Sequence, residues 1–247
     1  MQSAHWRTVV ALLFLVCGLV VSAGCKEPNF GNKLSTRQEI QIGDQAAAEL
    51  EAQYPPVVDP AVDAPVQSVT ERIFPQAAKL RGDITYRIKV LPNTEINAFS
   101  LPGGRIYITT GMLDKLGSNQ DMLAAVIAHE AAHAALRHAA NQIVDAVGQD
   151  DLIDMLSEGK YTDIANLTLQ LDQSSHSLDD EYQADRYGVQ FTSDSGYNPE
   201  GLLRFFTLMQ SVPDDSEKPA WLETHPLTKG RIARAEADIR ELTSDKR

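Results

Sequence analysis

The chain has 247 residues, with 22 Lys and Arg against 34 Asp and Glu, a formal net charge of −12 and a pI near 4.9. That length can bury a proper core, and 43% hydrophobic with 23% charged residues is ordinary globular composition, which excludes disorder and fibrous repeats. The acidic balance excludes nucleic acid as a partner, because nonspecific binding depends on Lys and Arg displacing counterions. Cys17 and Cys25 are the only cysteines, so the rest of the chain has neither a disulfide framework nor a cysteine metal site nor a cysteine nucleophile.

The chain opens with His5 and Arg7, an uncharged apolar run from Val9 to Val21, and then Ser22, Ala23, Gly24 and Cys25. A helix of that run rises about 20 Å, short of the roughly 30 Å hydrocarbon core, so a cleaved secretory leader is expected rather than a permanent span. Ser22 to Cys25 resemble a bacterial lipobox, in which Cys25 becomes the lipidated first residue of the mature chain. Ser22 departs from that pattern where Leu is usual. Lys26 stands where an Asp would resemble an inner-membrane retention signal, so the expected location is the outer membrane, facing the periplasm. Loss of Arg7 with the leader leaves the mature chain still more acidic, and acyl chains rather than lipid electrostatics would anchor it. The organisation is therefore read as signal peptide 1–24, tether 25–33 and one domain over 34–247.

In the domain, Ser35 and Gln38 form a capping-box pattern, opening a helix with Ile40, Ala47 and Leu50 that stops before Pro55 and Pro56. A second helix is expected from Asp63 toward Leu80, with Pro65 in its first turn and Pro75 kinking or ending it. Ile84, Tyr86, Ile88 and Val90 alternate with polar residues at the period of a half-buried strand. Phe99 to Leu101 and Arg105 to Thr109 read as two more strands about the turn Pro102, Gly103, Gly104. Helices follow at 120–140, around 150–171, and at 179–192, 199–210 and 228–242. A small sheet within a mainly helical body makes the class α+β.

The chemistry starts at His129, Glu130, Ala131, Ala132 and His133, the pattern HExxH inside an alanine-rich run that favours helix. Residues four apart share a helix face, so both imidazoles can meet one metal ion while Glu130 points beside it. A catalytic zinc site usually takes a third protein ligand and leaves one position for water. His138 lies about 140° further round a continuous helix and is read as out of reach, and Leu136 and Ala139 do not fit the metzincin pattern. Glu181 is the expected third ligand, on a second helix with Asp185 one turn later, an arrangement that lets the second carboxylate accept the outer N–H of a ligand histidine. The alternative is a charged helix start, Asp179 to Asp185, favoured by the dipole.

HEAAH with RH at 137 and 138, EYQADRYG from 181, NAFSLPGG from 97 and THP from 224 are together similar to the membrane-associated gluzincins that include HtpX, the Oma-type proteases and the CAAX prenyl proteases. The resemblance covers roughly residues 35–242 and fits best the periplasmic lipoprotein branch, with no room for the C-terminal TPR domain that some members carry. It implies a gluzincin-type zinc peptidase domain with its small sheet beside the active-site helix. One Zn2+ per chain would be held by His129, His133 and Glu181, with Glu130 as general base and Asp185 orienting His129. It implies that Asn97, Ala98, Phe99 and Ser100 form an edge strand for an extended peptide, although a structural hairpin suits the same run. His225 would lie near the metal, filling a fourth position at rest or donating to the developing oxyanion, and Arg231 could support that oxyanion instead. A plain loop histidine and a structural arginine are the alternatives.

The expected function is a zinc-dependent metalloendopeptidase acting on periplasmic or outer-membrane proteins. Its partners would be polypeptide substrates, the membrane through Cys25, and the outer-membrane assembly machinery. Two other readings stand beside it: a chaperone or assembly factor for outer-membrane proteins with a latent or structural metal site, and a metal-storage lipoprotein. For storage alone, Glu130 between the histidines is not needed.

Overall fold

The computed structural model describes residues 34–171, 173–212 and 218–244. The expected leader, the tether 25–33 and the lipidation site Cys25 lie outside the described residues.

Helix α1 (Thr36–Gln53) begins with both halves of the capping box: Gln38 N donates to Ser35 Oγ at 3.3 Å and Ser35 N donates to Gln38 Oε1 at 3.0 Å. Helix α2 (Pro60–Leu80) starts a turn earlier than expected, because the Asp59 carboxylate caps it by accepting from Ala61 N at 2.9 Å. It also runs through Pro75, where a kink or stop was expected. A proline in a helix interior costs about 3 kcal/mol. Val66, Val69, Ile73 and Ala77 are fully buried along one face, and packing of that face offsets the loss.

Strands β1 (Arg87–Leu91), β2 (Ala98–Leu101) and β3 (Arg105–Thr109) form one sheet in the order β1-β3-β2, β1 parallel and β2 antiparallel to β3. The alternating burial does begin at Ile84, but the ladder begins at Arg87, whose partner Arg105 is the first residue of β3. The residue before it, Gly104, has φ 86°, and Gly103 has φ 74°; these left-handed values close the 3-10 turn between β2 and β3 and suit glycine.

The remaining helices are α3 (Thr110–Leu116), α4 (Gln120–Ala135), α5 (His138–Val147), α6 (Gln149–Ser157), α7 (Tyr161–Leu171), α8 (Leu178–Asp194), α9 (Gly201–Gln210), α10 (Ala220–Thr224) and α11 (Lys229–Ser244). Two of them, α3 and α10, are too short for periodicity to reveal, and the segment expected around 150–171 divides at Gly159, φ 74°. Helix α4 is buried on every side from Met122 to Ala135, as expected of a central helix with apolar residues all round. Ile88, Val90, Ala98, Ile106 and Ile108 cover it from one sheet face, while Phe99, Leu101 and Tyr107 face Ala46, Ala47 and Ala165 of α1 and α7 on the other. A side chain at Gly188 of α8 would meet His129 N and Cα at 3.2 Å, so the two helices approach backbone to backbone at the first histidine.

The single helix expected over 120–140 is broken. Arg137 adopts φ 65°, the one left-handed non-glycine among the described residues, and α5 starts after it. The cause lies in α1. The buried Glu39 carboxylate receives Arg137 Nε at 2.8 Å, a bidentate Arg81 at 2.8 and 2.9 Å, and Gly103 N at 3.2 Å. One carboxylate thus ties α1, α2, the strand turn and the end of α4 together, against a left-handed cost of about 1–2 kcal/mol.

Candidate metal centre

Successive turns of α4 present His129 and His133 with their Nε2 atoms 3.0 Å apart. Helix α8 brings Glu181 opposite them, Oε1 3.3 Å from His133 Nε2 and Oε2 3.7 Å from His129 Nε2. Together with His225 these residues offer four ligand atoms within 4.8 Å of one another, all in buried side chains. Glu181 Oε1 and His225 Nε2 have no hydrogen-bond partner among the described residues.

Each α4 histidine has a close neighbour at its outer nitrogen: His129 Nδ1 lies 3.1 Å from Asp185 Oδ1, and His133 Nδ1 lies 2.9 Å from His138 Nδ1. With those nitrogens as donors, the two Nε2 atoms face each other as bare lone pairs, which is repulsive unless a cation lies between them. Four ligands at zinc-like bond lengths stand about 3.3 Å apart in a tetrahedron. The three measured separations bracket that value, so the donor set fits a divalent ion taking nitrogen and oxygen.

The electrostatics agree. Burial, then the neighbouring imidazoles, push His133 and His225 well below the ordinary histidine value; burial lowers His129 too, against the pull of Asp185. The rings are thus neutral, the form in which imidazole binds metal. Burial raises Glu181 well above the carboxylate range although Arg231 opposes it, whereas Asp185, which burial would also raise, is held below its usual value by Arg231 and His129.

Arg231 takes a different place from the oxyanion role offered by the sequence. Its guanidinium grips Asp185 with Nε and Nη2 at 2.8 Å each, pairs with Glu181 Oε2, and donates from Nη1 to Pro226 O at 3.2 Å. It is fully buried beneath Phe206 and Trp221. The side chain therefore positions the two α8 carboxylates, and its donors are directed at them rather than at a reacting carbonyl.

His225 caps α10. Its ring stacks on Trp221 with centroids 4.7 Å apart, its Nδ1 lies 2.8 Å from Thr224 Oγ1, and its Nε2 lies 3.5 Å from Glu130 Oε1. His138 stays outside the ligand group, as expected, but by another geometry: the break at Arg137 turns it back beneath His133. The sequence reading missed His176, in the connection between α7 and α8, whose ring centroid is 4.3 Å from His133 and 5.0 Å from His225. Its backbone N donates to Thr224 O at 2.9 Å. A lone histidine in a polar stretch carries no periodic signal that could have found it.

Strand β2 lies at the sheet edge. Thr109 N donates to Asn97 O at 3.0 Å, and in an antiparallel ladder bonded positions alternate, so Ala98 and Ser100 turn their backbone groups away from β3. A cleft of about 750 Å³ runs beside this edge, lined by Asn97, Phe99, Leu169, Glu223 and Thr224, the last adjacent to His225.

Residues 60–239 match the family described as Peptidase family M48. The chain is 29% identical over 219 residues to the beta-barrel assembly-enhancing protease of Escherichia coli (strain K12), covering 83% of this chain and 44% of that protein. It is 28% identical over 232 residues to the mitochondrial metalloendopeptidase OMA1 of Schizosaccharomyces pombe, covering 87% and 66%. It is 25% identical over 247 residues to the metalloprotease LoiP of Escherichia coli (strain K12), covering 90% and 93%. The chain thus spans less than half the length of the beta-barrel assembly-enhancing proteases it matches.

Proposed function

The chain belongs to peptidase family M48, and from that premise we propose that it is a zinc metalloendopeptidase of the bacterial cell envelope. The observation that carries this reading is the pair of bare imidazole nitrogens facing a buried carboxylate, with Glu130 beside them. His129, His133 and Glu181 would hold one zinc ion. When bound, that ion supplies a Lewis acid that lowers the pKa of a water and polarises a scissile carbonyl.

The chain's own residues do the rest. Glu130, one residue beyond His129 on α4, takes the proton of the attacking water and returns it to the leaving amine. Asp185 holds the His129 ring, and Arg231 holds Asp185 and Glu181. His225, its ring steadied by Trp221 and its Nε2 without a hydrogen-bond partner among the described residues, would offer the ion a fourth ligand at rest or donate to the developing oxyanion. An extended polypeptide pairs with the outward backbone groups of Ala98 and Ser100, flanked by Asn97 and Phe99, and directs alternate side chains into the cleft beside β2.

The substrates we propose are misfolded polypeptides of the periplasm and outer membrane, with the assembly machinery of that membrane as a partner; the name beta-barrel assembly-enhancing protease supports the link to assembly. Among the described residues no helix is long and apolar enough to cross a membrane. Attachment is assigned to acylated Cys25 after removal of residues 1–24, on the lipobox-like run from Ser22 to Cys25, a reading that unacylated Cys25 in the mass spectrum of the membrane-extracted protein would overturn. The chaperone reading finds no favour in these comparisons, because the matched relatives are named as proteases.

The deciding experiment is Glu130→Gln in the purified protein. Zinc content by mass spectrometry should match the wild type, while casein cleavage should fall at least about 100-fold, as expected when a general base is removed. Undiminished cleavage would refute the assigned base.

A further inference from the structure

His138 stands behind His133, outside the group of four candidate ligands, and each of its ring nitrogens has a protein neighbour. Its Nδ1 lies 2.9 Å from His133 Nδ1, and its Nε2 lies 3.5 Å from Asp180 Oδ1. The two rings meet edge-on, with centroids 4.8 Å apart at 78°, and His138 is 2% exposed. We propose that His138 is a positioning residue that sets the tautomer and orientation of His133, with Asp180 orienting His138 in turn.

The direction of each link follows from valence. Two nitrogens 2.9 Å apart share one proton. His133 Nε2 faces His129 and Glu181 and must keep its lone pair bare to serve as a ligand, so the shared proton belongs to His133 Nδ1. His138 Nδ1 is then the acceptor, and its own proton sits on Nε2, toward Asp180. Asp180 is itself held at the start of α8, where Ser177 Oγ donates to its Oδ2 at 2.8 Å and the helix dipole favours an anion.

The outer supports of the two α4 histidines therefore differ. His129 leans on a carboxylate that Arg231 holds ionised; His133 leans on a neutral ring and reaches a carboxylate only through it. A carboxylate acceptor raises the basicity of a ligand imidazole, so His133 is the weaker base of the pair. The arrangement depends on the break at Arg137. On an uninterrupted helix His138 would lie about 140° round from His133. The Glu39 carboxylate, by seizing Arg137, turns the chain back so that the two rings meet.

This inference rests on the reading that His129, His133 and Glu181 hold a metal, and the test separates the two. Zn2+ affinity of the metal-free full chain is measured by competition with a chromophoric chelator, and the visible spectrum is recorded with Co2+. His138→Leu should bind Zn2+ about 10–100-fold more weakly and shift the Co2+ bands. His138→Asn, which keeps an acceptor where Nδ1 stood, should stay within about threefold of the wild type with its spectrum unmoved. Should His138→Leu not fold, Asp180→Ala and its combination with His138→Asn carry the same test: Asp180→Ala should weaken binding several-fold. Wild-type affinity in either folded His138→Leu or Asp180→Ala overturns the relay, as does an equal loss in His138→Asn and His138→Leu. A wild-type chain that binds no Zn2+ overturns the metal reading first, and the relay with it.

Discussion

At the scale of single residues, the site is built from neutral imidazoles, and this gives its pH dependence a sign. Burial, followed by charge from neighbouring groups, pushes His138 down to about 3 and His176 down to about 4. An unfolded histidine titrates near about 6.5, so between those values the unfolded chain binds more protons than the folded one. Stability then rises with pH through that window and is lost on acidification. Glu181, Asp180 and Asp238, each raised by burial, pull the opposite way, but the five described histidines outnumber these three. The urea midpoint of the metal-free protein should be lower at pH 5 than at pH 7; an unchanged or higher midpoint would mean that the imidazoles are solvated. At this same scale, HExxH was legible because four residues along a helix return a side chain to the same face. Arg231 was not, because nothing near it in the chain names Asp185, 46 positions away, as its partner.

Among elements, the informative cases are those where local propensity lost. Pro75 did not end α2, because a fully buried face outweighs one missing hydrogen bond. The helix over 120–140 did break, although Ala134, Ala135, Leu136, Ala139 and Ala140 all favour its continuation, because the Glu39 carboxylate captures Arg137 from 98 positions away. Glu39→Ala would leave Arg81 and Arg137 with no buried counter-charge there. It is expected to cost about 3–5 kcal/mol, read from chemical denaturation, and to lower Zn2+ affinity by loosening His138. A loss under about 1 kcal/mol would show that solvent or Asp83 takes over the guanidinium groups. The strands and the capping box of α1 were legible, since alternation and a three-residue cap are interactions between near neighbours.

Across the whole molecule, the centre gathers α4, α8 and the end of α10, segments that meet only when the chain is folded. A metal that binds the folded state alone stabilises it by mass action, by about 4 kcal/mol when the free ion exceeds its Kd 1,000-fold. Chelation should therefore lower the melting temperature by roughly 8–16 °C for a domain of this size. An unchanged melting temperature, with metal loss verified, would mean that the ion binds the unfolded chain as tightly as the folded one. The sequence by itself determined what depends on near neighbours: the two imidazoles on one helix face, Glu130 between them, the carboxylates one turn apart on a second helix, and a three-stranded sheet in a helical body. Only the tertiary structure decided that Arg231 holds those carboxylates, that His176 packs its ring against His133 and His225, and that His138 turns back to His133. Spacing along a helix governs geometry over about one turn, whereas a buried charge or ring takes whichever distant partner the packing brings within reach.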